Sequence, residues 1–363
     1  MSSVYIHLGQ AGNQIGKELW RMAETEFVSN PGFSSSGALR KAGHFNHLME
    51  GGDAMFHAED GYSRYLAVDS EPKVVQSCQL EVHSLRPDNV IFDQGGLANN
   101  WAMGFRSCTK EGSLLDRCME GARREIERCS WPNSIVIVHS LAGGTGSGLG
   151  SALLQALRDE YPSLYLINIS VWALQAGETP LQHYNTALSL QHLQAFSDAV
   201  VYRSNDDLLQ AGAGPRFELD LDGHLRQVVS SSPASGGRRL PPSMRTGDMN
   251  NSLASDLASY FFPTSYPLGT QAPPFGSMRG VNGGGSGMGM GVHAFDGGSL
   301  VSNVCPLPSA KFVDLRSTIS ILKTPHLPPR RRWGERKACQ EAGLSPEWGK
   351  LARVLGKGTP LRP

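Results

Sequence analysis

The feature that most constrains the fold is a β-branched strand that runs straight into a glycine-rich turn and then into a helix. Residues 134–139 read SIVIVH, and the central Ile and Val residues favour an extended strand. The stretch SLAGGTGSGLGS follows at 140–151, and apolar residues then recur every four positions from Leu149 to Tyr161. Because glycine amides approach ligands closely and helix starts attract anions, the turn is either an anion-binding loop or a strand-to-helix turn in which glycine relieves crowding.

The same order of strand, turn and helix repeats across residues 4–205. The predicted elements are strands at 4–8, 65–68, 134–139 and 164–169, a helix after the first strand and another at 184–196. This alternation predicts a parallel sheet with helices on both faces, and ligands bind such sheets at the carboxyl ends of the strands. Those ends carry GQAGNQ at 9–14, DSE at 69–71 and the glycine turn. Three polar turns are therefore predicted to meet at one edge, which favours the anion-binding loop.

The glycine turn differs from two common phosphate-binding loops. It lacks the lysine with which a Walker loop reaches the β- and γ-phosphates. It also fails the dinucleotide pattern GxGxxG, because the third glycine would fall at Ser151 or Leu149. An ordinary P-loop enzyme or dehydrogenase is therefore disfavoured. The hydroxyls of Thr145 and Ser147 keep an anion-binding role open.

Charge and cysteine content exclude further classes. Lys plus Arg equals Asp plus Glu, at 33 each, so the chain lacks the basic excess of a nucleic-acid binder. The six cysteines form no CxxC pair, and Cys118 and Cys129 are interpreted as buried thiols in a reducing compartment. The sequence shows neither a signal peptide nor a bilayer-spanning apolar run. A cytosolic location without membrane or nucleic-acid partners is expected.

The second half of the chain is less regular. Residues 209–245 and 263–298 are rich in Gly, Pro or Ser and are predicted to be flexible insertions. The glycine run at 283–291 has no strand before it and no helix after it, so phosphate binding is not predicted there. Beyond Pro325 the chain is basic, with Arg at 330–332, and is predicted to be a disordered tail. Contact with nucleic acid or an acidic surface is the alternative.

Five segments resemble the tubulin and FtsZ superfamily of GTP-binding proteins. They occur in the expected order: LGQAGNQIGKELW at 8–20, LAVDSEPKVV at 66–75, LANNWAMGF at 97–105, AGGTGSG at 142–148 and HYNTALSLQHL at 183–193. The resemblance implies an α/β, Rossmann-like GTPase domain of tubulin type. Within the family, the combination of AGGTGSGLG, VDSEPKVV and Gln182 is most similar to delta-tubulin.

The resemblance also implies a domain division. The predicted parts are a GTP-binding domain at 1–262 with its insertion at 209–245, a Gly/Pro-rich linker or insertion at 263–298, the start of a truncated intermediate domain at 299–320, and a tail at 321–363. The similarity fades near residue 318. The chain is therefore expected either to lack the family's back half or to derive from a wrong or truncated gene model.

The ligands implied by the resemblance are GTP or GDP with Mg²⁺. The residues assigned to the nucleotide are Gln10, Ala11, Gln14, Ala98, Asn99, Gly143, Gly144, Thr145, Gly146, Ser147, Glu178, Asn205 and Asn250. The glycine turn would hold the phosphates, Ala98 and Asn99 would face the terminal phosphate, and the asparagines at 205 and 250 would contact the base. Asp69 and Glu71 would hold Mg²⁺ through water; without the resemblance they are two carboxylates on a solvated edge.

Several positions depart from the family pattern. Ala11 replaces a cysteine, Ala98 replaces a glycine, Thr246 stands where a tyrosine stacks on the base, and Gln182 replaces an acidic ribose contact. Ser299 occupies the position of the catalytic acid that a neighbouring subunit would insert, so no catalytic residue is assigned. Asp296 would substitute only in a rebuilt loop. GTP hydrolysis is expected to be weak or to depend on a partner subunit.

The expected function is that of a GTP-binding cytoskeletal protein of the delta-tubulin type. It would act in the cytoplasm, at centrioles, basal bodies and cilia and in microtubule organisation, with other tubulins as partners. A soluble, self-activating GTPase is the alternative. A Rossmann-like oxidoreductase is disfavoured, because GxGxxG is missing and GGTGSG is present.

Overall fold

The computed structural model describes most of the first 212 residues and shorter stretches beyond them. The described residues are 2–27, 55–57, 60–107, 112–175, 177, 179–212, 216–219, 225–228, 246–262, 264–267, 277–280, 290–315, 317–320 and 351–354. The strands are β1 (Ser2–Leu8), β2 (Tyr65–Asp69), β3 (Val90–Phe92), β4 (Pro132–Ser140), β5 (Tyr165–Trp172), β6 (Ala199–Ser204), β7 (Arg216–Leu219), β8 (Leu225–Val228), β9 (Thr264–Pro267), β10 (Ser277–Gly280), β11 (Met290–Ala294), β12 (Phe312–Asp314), β13 (Ser317–Ser320) and β14 (Leu351–Val354).

The helices alternate with the first six strands. They are α1 (Gly9–Phe27), α2 (Pro72–Glu81), α3 (Trp101–Arg106), α4 (Leu114–Glu127), α5 (Gly150–Glu160), α6 (Gln182–Phe196), α7 (Asn205–Gly212), α8 (Thr246–Phe261) and α9 (Gly297–Val304). A 3₁₀ turn at Pro87–Asn89 precedes β3, and a π-helical turn at Thr145–Leu149 precedes α5. None of the helices within the described residues is long and apolar enough to cross a membrane.

A seven-stranded parallel sheet forms the centre of the fold. Its strand order is β12–β6–β5–β4–β1–β2–β3, and every neighbouring pair runs parallel. The chain proceeds from β1 to β3 on one side of β1 and from β4 to β6 on the other. The direction of winding therefore reverses between β1 and β4, and in open α/β sheets ligands bind at this switch point.

Two hydrophobic layers cover the two faces of the sheet. Alternation along β1 directs Tyr5 to one layer and Ile6 to the other, because neighbouring strand side chains point to opposite faces. The first layer includes residues of α1, α8 and α9, represented by Leu19, Leu257 and Leu300. The second includes residues of α4, α5 and α6, represented by Cys118, Leu153 and Leu193. The predicted doubly covered α/β sheet is confirmed.

The elements predicted from the sequence are found close to their expected limits. The four predicted strands become β1, β2, β4 and β5, and the predicted helix at 184–196 becomes α6. The four cysteines that the structure describes are free and buried, as interpreted for Cys118 and Cys129. The glycine turn is more regular than expected, since its second half is the π-helical turn that continues into α5.

Short strands that the sequence did not predict occur in the second half. Strands β7 and β8 pair within the predicted insertion at 209–245, and β9, β10 and β11 form a small antiparallel sheet. Strand β14 pairs with β13, so part of the predicted disordered tail is extended. Strand β12 joins the main sheet beside β6, with Phe312 opposite Val200. The domain limits themselves remain predictions.

Candidate nucleotide-binding site

The three polar turns predicted to meet do meet, at the carboxyl edge of the sheet. The hydroxyl of Ser70, after β2, lies 2.7 Å from the Thr145 hydroxyl in the turn after β4. Gly9, at φ +70°, packs so closely against that turn that a Cβ on it would lie 3.0 Å from the Gly146 amide nitrogen. Asn13 donates to the carbonyl oxygens of Gly9 and Val68 at 2.9 and 2.8 Å. The ends of β1, β2 and β4 are thus joined by direct contacts.

The glycines of the turn differ in how closely the rest of the protein packs against them. A Cβ on Gly148 would overlap the Trp101 carbonyl oxygen and lie 2.9 Å from the Gly104 Cα, so this glycine admits the close packing of α3. Gly143 is different. The nearest atom to a Cβ built on it is the Asn99 Oδ1, at 3.9 Å, an ordinary van der Waals distance. Crowding explains Gly148 but does not explain Gly143.

Hydroxyl groups of the turn are hydrogen-bonded within the protein. Ser147 donates its hydroxyl to the Gly143 carbonyl oxygen, and Ser151 donates to the Ser147 carbonyl oxygen at 2.7 Å. A contact from Ser147 to a phosphate in this arrangement would come from the backbone amide. These bonds define the path of the loop ahead of α5.

A buried histidine contacts the glycine turn, and the sequence pattern did not indicate this role. His139 lies near the end of β4, with its Nδ1 2.8 Å from the Gly146 carbonyl oxygen and its Nε2 3.2 Å from the Ser170 hydroxyl. Burial lowers the pKa of His139 to about 4, so the imidazole is neutral at pH 7. The only available signal was a histidine at the end of an apolar strand.

The two predicted metal-binding carboxylates follow β2. Asp69 is 5% exposed and accepts a hydrogen bond from the Ser70 amide at 2.7 Å. Burial raises the pKa of Asp69 to about 6, since the charged form is poorly solvated. Glu71 is exposed, and its Oε1 lies beside Gly96. Among the described residues, no cluster of three or more His, Cys, Asp or Glu side chains could hold a metal ion alone.

This carboxylate pair suits Mg²⁺ better than a metal held by the protein alone. Mg²⁺ usually binds proteins through one or two carboxylates and keeps several waters or phosphate oxygens as further ligands. A nearby cation would also favour the ionised form of Asp69, which burial now disfavours. The arrangement therefore fits the water-mediated role that the resemblance implies.

The turn at 97–100 is strained and well anchored. Ala98 and Asn99 have φ values of 48° and 50°, in the left-handed region that favours glycine. Asn100 then caps α3, accepting hydrogen bonds from the amides of Ala102 and Met103 at 2.9 and 3.4 Å. The family's usual glycine at position 98 would adopt this conformation without the Cβ penalty that alanine carries.

A second residue that the sequence pattern did not reveal joins this turn to the glycine turn. The Asn185 Nδ2 of α6 donates to the carbonyl oxygens of Asn99 and Ala142, at 2.8 and 2.7 Å. Its Oδ1 accepts from the Trp101 amide at 3.0 Å. Asn185 lies within the HYN segment, but nothing in one sequence distinguishes it from its helical neighbours.

The predicted base-binding residues are only partly described. Asn250 of α8 donates to the Gln14 Oε1 of α1 at 3.0 Å, so these two candidates are in contact. Gln10 and Ala11 lie in the first turn of α1, and Asn205 begins α7 directly after β6. Glu178 and the glycines at 283–289 lie outside the described residues, and so does the side chain of Thr246.

The predicted catalytic position lies at the opposite edge of the sheet. The Asp296 Oδ1 accepts from the Gly298 amide at 3.0 Å and caps α9, which contains Ser299. The Gly297 amide donates to Asn133 Oδ1 at the start of β4, at 2.9 Å. Strand β4 then runs seven residues to Ser140, or roughly 23 Å. Neither Ser299 nor Asp296 belongs to the site at the carboxyl edge.

The switch point between β1 and β4 and the polar turns at its carboxyl end define a Rossmann-like α/β protein with a candidate anion site. Comparison with known proteins then identifies its family. Residues 2–213 match the Tubulin/FtsZ family, GTPase domain. The match covers more than half of the chain, and the chain belongs to this family.

Curated relatives agree with that assignment. The tubulin beta chain of Porphyra purpurea is 34% identical over 212 residues, which are 56% of this chain and 44% of that protein. The tubulin beta-1 chain of Glycine max is 32% identical over 211 residues, 56% of this chain and 46% of that protein. The tubulin beta chain of Pyropia yezoensis is 34% identical over 211 residues, with 56% and 44% covered. The chain thus spans somewhat less than half the length of these relatives.

Proposed function

We propose that this protein binds GTP or GDP with Mg²⁺ at the carboxyl edge of its sheet, as a tubulin-like component of the cytoskeleton. The observation that carries the proposal is the convergence of the loops at 9–14, 69–71 and 97–100 on the glycine turn at 142–147. These loops are joined by direct contacts, and Gly143 is not crowded by the protein. Family membership supports guanine nucleotide as the ligand.

The phosphates would bind to backbone amides of the glycine turn. Helices α1 and α5 both begin at this edge, so their positive ends favour a polyanion there. Gln10 and Ala11 would approach from α1, and Ala98 and Asn99 would face the terminal phosphate. The amide of Ala11 remains a donor, so the family's cysteine sulfur is not required.

Mg²⁺, when bound, would neutralise phosphate charge beside Asp69 and Glu71. The two carboxylates would hold its water ligands rather than form a closed cage. At the base end, Gln14 and Asn250 would act together, because they are already hydrogen-bonded. Asn205 and Glu178 complete the proposed contacts to the base and ribose.

A soluble, self-activating GTPase is the less favoured alternative. The position of the family's catalytic acid is held by Ser299 on α9, at the amino edge of the sheet. An acid placed there would have to act on the nucleotide of another subunit. The proposed chain therefore binds GTP and hydrolyses it slowly by itself, and other tubulins are the proposed partners.

The delta-tubulin subtype and a centriole or basal-body role form the finer part of the proposal. They rest on the motif combination AGGTGSGLG, VDSEPKVV and Gln182, whereas the relatives described above are beta chains. The test is localisation of the tagged full chain in a ciliated cell. Signal concentrated at basal bodies agrees with the subtype, and uniform labelling along cytoplasmic microtubules contradicts it.

Nucleotide extraction from the purified full chain tests the main proposal. We expect guanine nucleotide to be recovered in preference to adenine nucleotide, and the Gly143→Ala variant to lose it. The added methyl group fits the protein without a clash but occupies the space assigned to phosphate. Recovery of NAD or of no nucleotide from the folded wild-type protein would overturn the proposal.

The Gly95→Ala variant is the matched control. A methyl group on Gly95 would meet no other atom within 4 Å, so it too fits without a clash, but this glycine is not among the assigned nucleotide residues. Both variants should unfold at the wild-type temperature, and only Gly143→Ala should lose the nucleotide. Equal retention in the two variants would contradict the placement of the phosphate beside Gly143. Rapid GTP turnover by the isolated chain would favour the self-activating alternative.

A further inference from the structure

One buried side chain of α6 connects two loops of the candidate site. Asn185 is 2% exposed, and its amide group makes three hydrogen bonds to parts of the chain far from it in sequence. Its two donated bonds reach one carbonyl oxygen in the turn at 97–100 and one in the glycine turn. Its oxygen accepts from the first amide of α3. Every polar atom of this side chain is therefore engaged in holding these loops together.

The turn at 97–100 needs such an anchor, because its backbone is strained. The left-handed conformation costs an L-residue about 1–2 kcal/mol, and two consecutive non-glycine residues adopt it here. Strained conformations persist only where the surroundings hold them. The hydrogen bond from Asn185 to the Asn99 carbonyl oxygen lies directly on the strained pair.

The helix after the turn is anchored independently. The Trp101 Nε1 donates to the Ser151 hydroxyl of α5 at 3.0 Å, and Gly104 packs so closely on the turn before α5 that a Cβ on Gly148 would lie 2.9 Å from the Gly104 Cα. Helix α3 therefore remains attached to α5 when Asn185 is changed. The freedom gained on losing Asn185 is then confined to the turn that precedes α3.

We infer that Asn185 is a positioning residue that fixes the turn at 97–100 against the glycine turn and thereby sets the preference for nucleoside triphosphate over diphosphate. The inference rests on the proposed function, in which Ala98 and Asn99 face the terminal phosphate. A diphosphate does not extend to that phosphate position. Loss of the anchor therefore weakens triphosphate binding selectively, while the glycine turn continues to hold the remaining phosphates.

The experiment compares nucleotide affinities of the full chain after bound nucleotide is removed. Wild type, Asn185→Ala and Ser189→Ala are titrated with GTPγS and with GDP, each with Mg²⁺. Ser189 is the control, because it is buried one turn further along α6 and its hydroxyl has no hydrogen-bond partner among the described residues. We expect Asn185→Ala to weaken GTPγS binding at least tenfold and GDP binding less than threefold, and Ser189→Ala to change neither.

A second measurement separates positioning from general packing. Amide hydrogen exchange of residues 97–100, and of the Trp101 amide that loses its acceptor, should accelerate in Asn185→Ala without nucleotide, while exchange in β4 and α5 stays at the wild-type rate. If Asn185→Ala does not fold, Asn185→Leu carries the same expectations. It keeps a side chain of similar size, adds no charge beside the carbonyl oxygens of Asn99 and Ala142, and removes the three hydrogen bonds.

The outcomes distinguish this inference from the proposed function. Equal losses for GTPγS and GDP, or unchanged affinities for both, would overturn the positioning role. Wild type that binds neither nucleotide would overturn the proposed function and the triphosphate preference with it. Hydrogen exchange would then still decide whether Asn185 holds the turn.

Discussion

Buried polar groups have different surroundings at the two edges of the central sheet. At the amino edge, the Glu125 carboxylate is fully buried and accepts bonds from His57, Arg128 and Asn89, at 2.5, 2.8 and 3.0 Å. Arg64 in turn donates to the His57 Nδ1 at 2.9 Å. At the carboxyl edge, loops bond to one another, two consecutive residues are strained, and burial raises the pKa of the Asp69 carboxyl.

This contrast supports the proposed ligand site at the carboxyl edge. Burial favours the neutral form of Glu125, but hydrogen bonds from His57, Asn89 and Arg128 outweigh it and lower the pKa of that carboxyl. The protein itself supplies the partners of this carboxylate. The pKa of Asp69 moves the other way, because burial outweighs the hydrogen bonds from Ser70 and Thr145. A parallel sheet concentrates helix starts at one edge, and it is there that an anion with its metal ion would balance the charges.

The largest expected effect is at the amino edge. Glu125→Ala should lower the free energy of unfolding by about 3–5 kcal/mol, because it leaves buried His57 and Asn89 and the partly exposed Arg86 and Arg128 without their shared carboxylate. Urea unfolding measures the loss. The control is Glu120→Ala on the same helix, where an exposed glutamate pairs with Arg123 and a wild-type midpoint is expected. A Glu125 variant as stable as wild type would show that the edge does not depend on this carboxylate.

The second prediction concerns the pH dependence of stability, because buried groups near the two edges of the sheet lose their contributions in different pH ranges. Burial lowers the pKa of His7 to about 3 and that of His139 to about 4, so the unfolded chain binds more protons than the folded chain between these values and 6.5. Stability should therefore fall as pH drops from 7 to 5, because the two histidines outweigh Asp69, whose raised pKa offsets part of the loss. Glu125 contributes above pH 4.5, and its contribution is lost only as pH falls further, towards its lowered pKa.

Replacing one of these histidines tests whether it causes the loss of stability between pH 7 and pH 5. His139→Gln should reduce the stability lost between pH 7 and pH 5 by about 2 kcal/mol, the contribution of one buried neutral histidine over that interval. Urea unfolding at both pH values measures it, with the exposed His183→Gln as control. Wild-type protein that is equally stable at both pH values would contradict the predicted loss of stability.

The smallest expected effect concerns the strained turn. Ala98→Gly should raise the free energy of unfolding by about 1 kcal/mol, since glycine adopts a positive φ without the Cβ penalty. Ala102→Gly, four residues later in α3, should lower it by a similar amount, because glycine disfavours helix. Thermal unfolding of the two variants measures opposite shifts. Destabilisation by both would mean that the backbone at Ala98 is not strained.

Much of this molecule could be predicted because its pattern is local. The β-branched run at 134–139, the four-residue spacing after it and the polar turn at 69–71 are each readable over a few neighbouring residues, and they became β4, α5 and the end of β2. The family motifs added candidate roles that composition could not supply. Strand β12 was not predicted as part of the main sheet, because its three residues carry too little pattern to choose a partner strand.

The amino-acid sequence is enough to establish that strands and helices alternate, that polar turns end the strands, and that glycine-rich residues follow β4. Residue type does not show how far a glycine lies from a packed backbone. Only the tertiary structure shows that Gly148 contacts a neighbouring helix and that Gly143 is not crowded. It also places His139 against the glycine turn, and it places Asn185 between that turn and the turn at 97–100. Their partners are distant in sequence, so chain folding alone brings the hydrogen-bonding groups together.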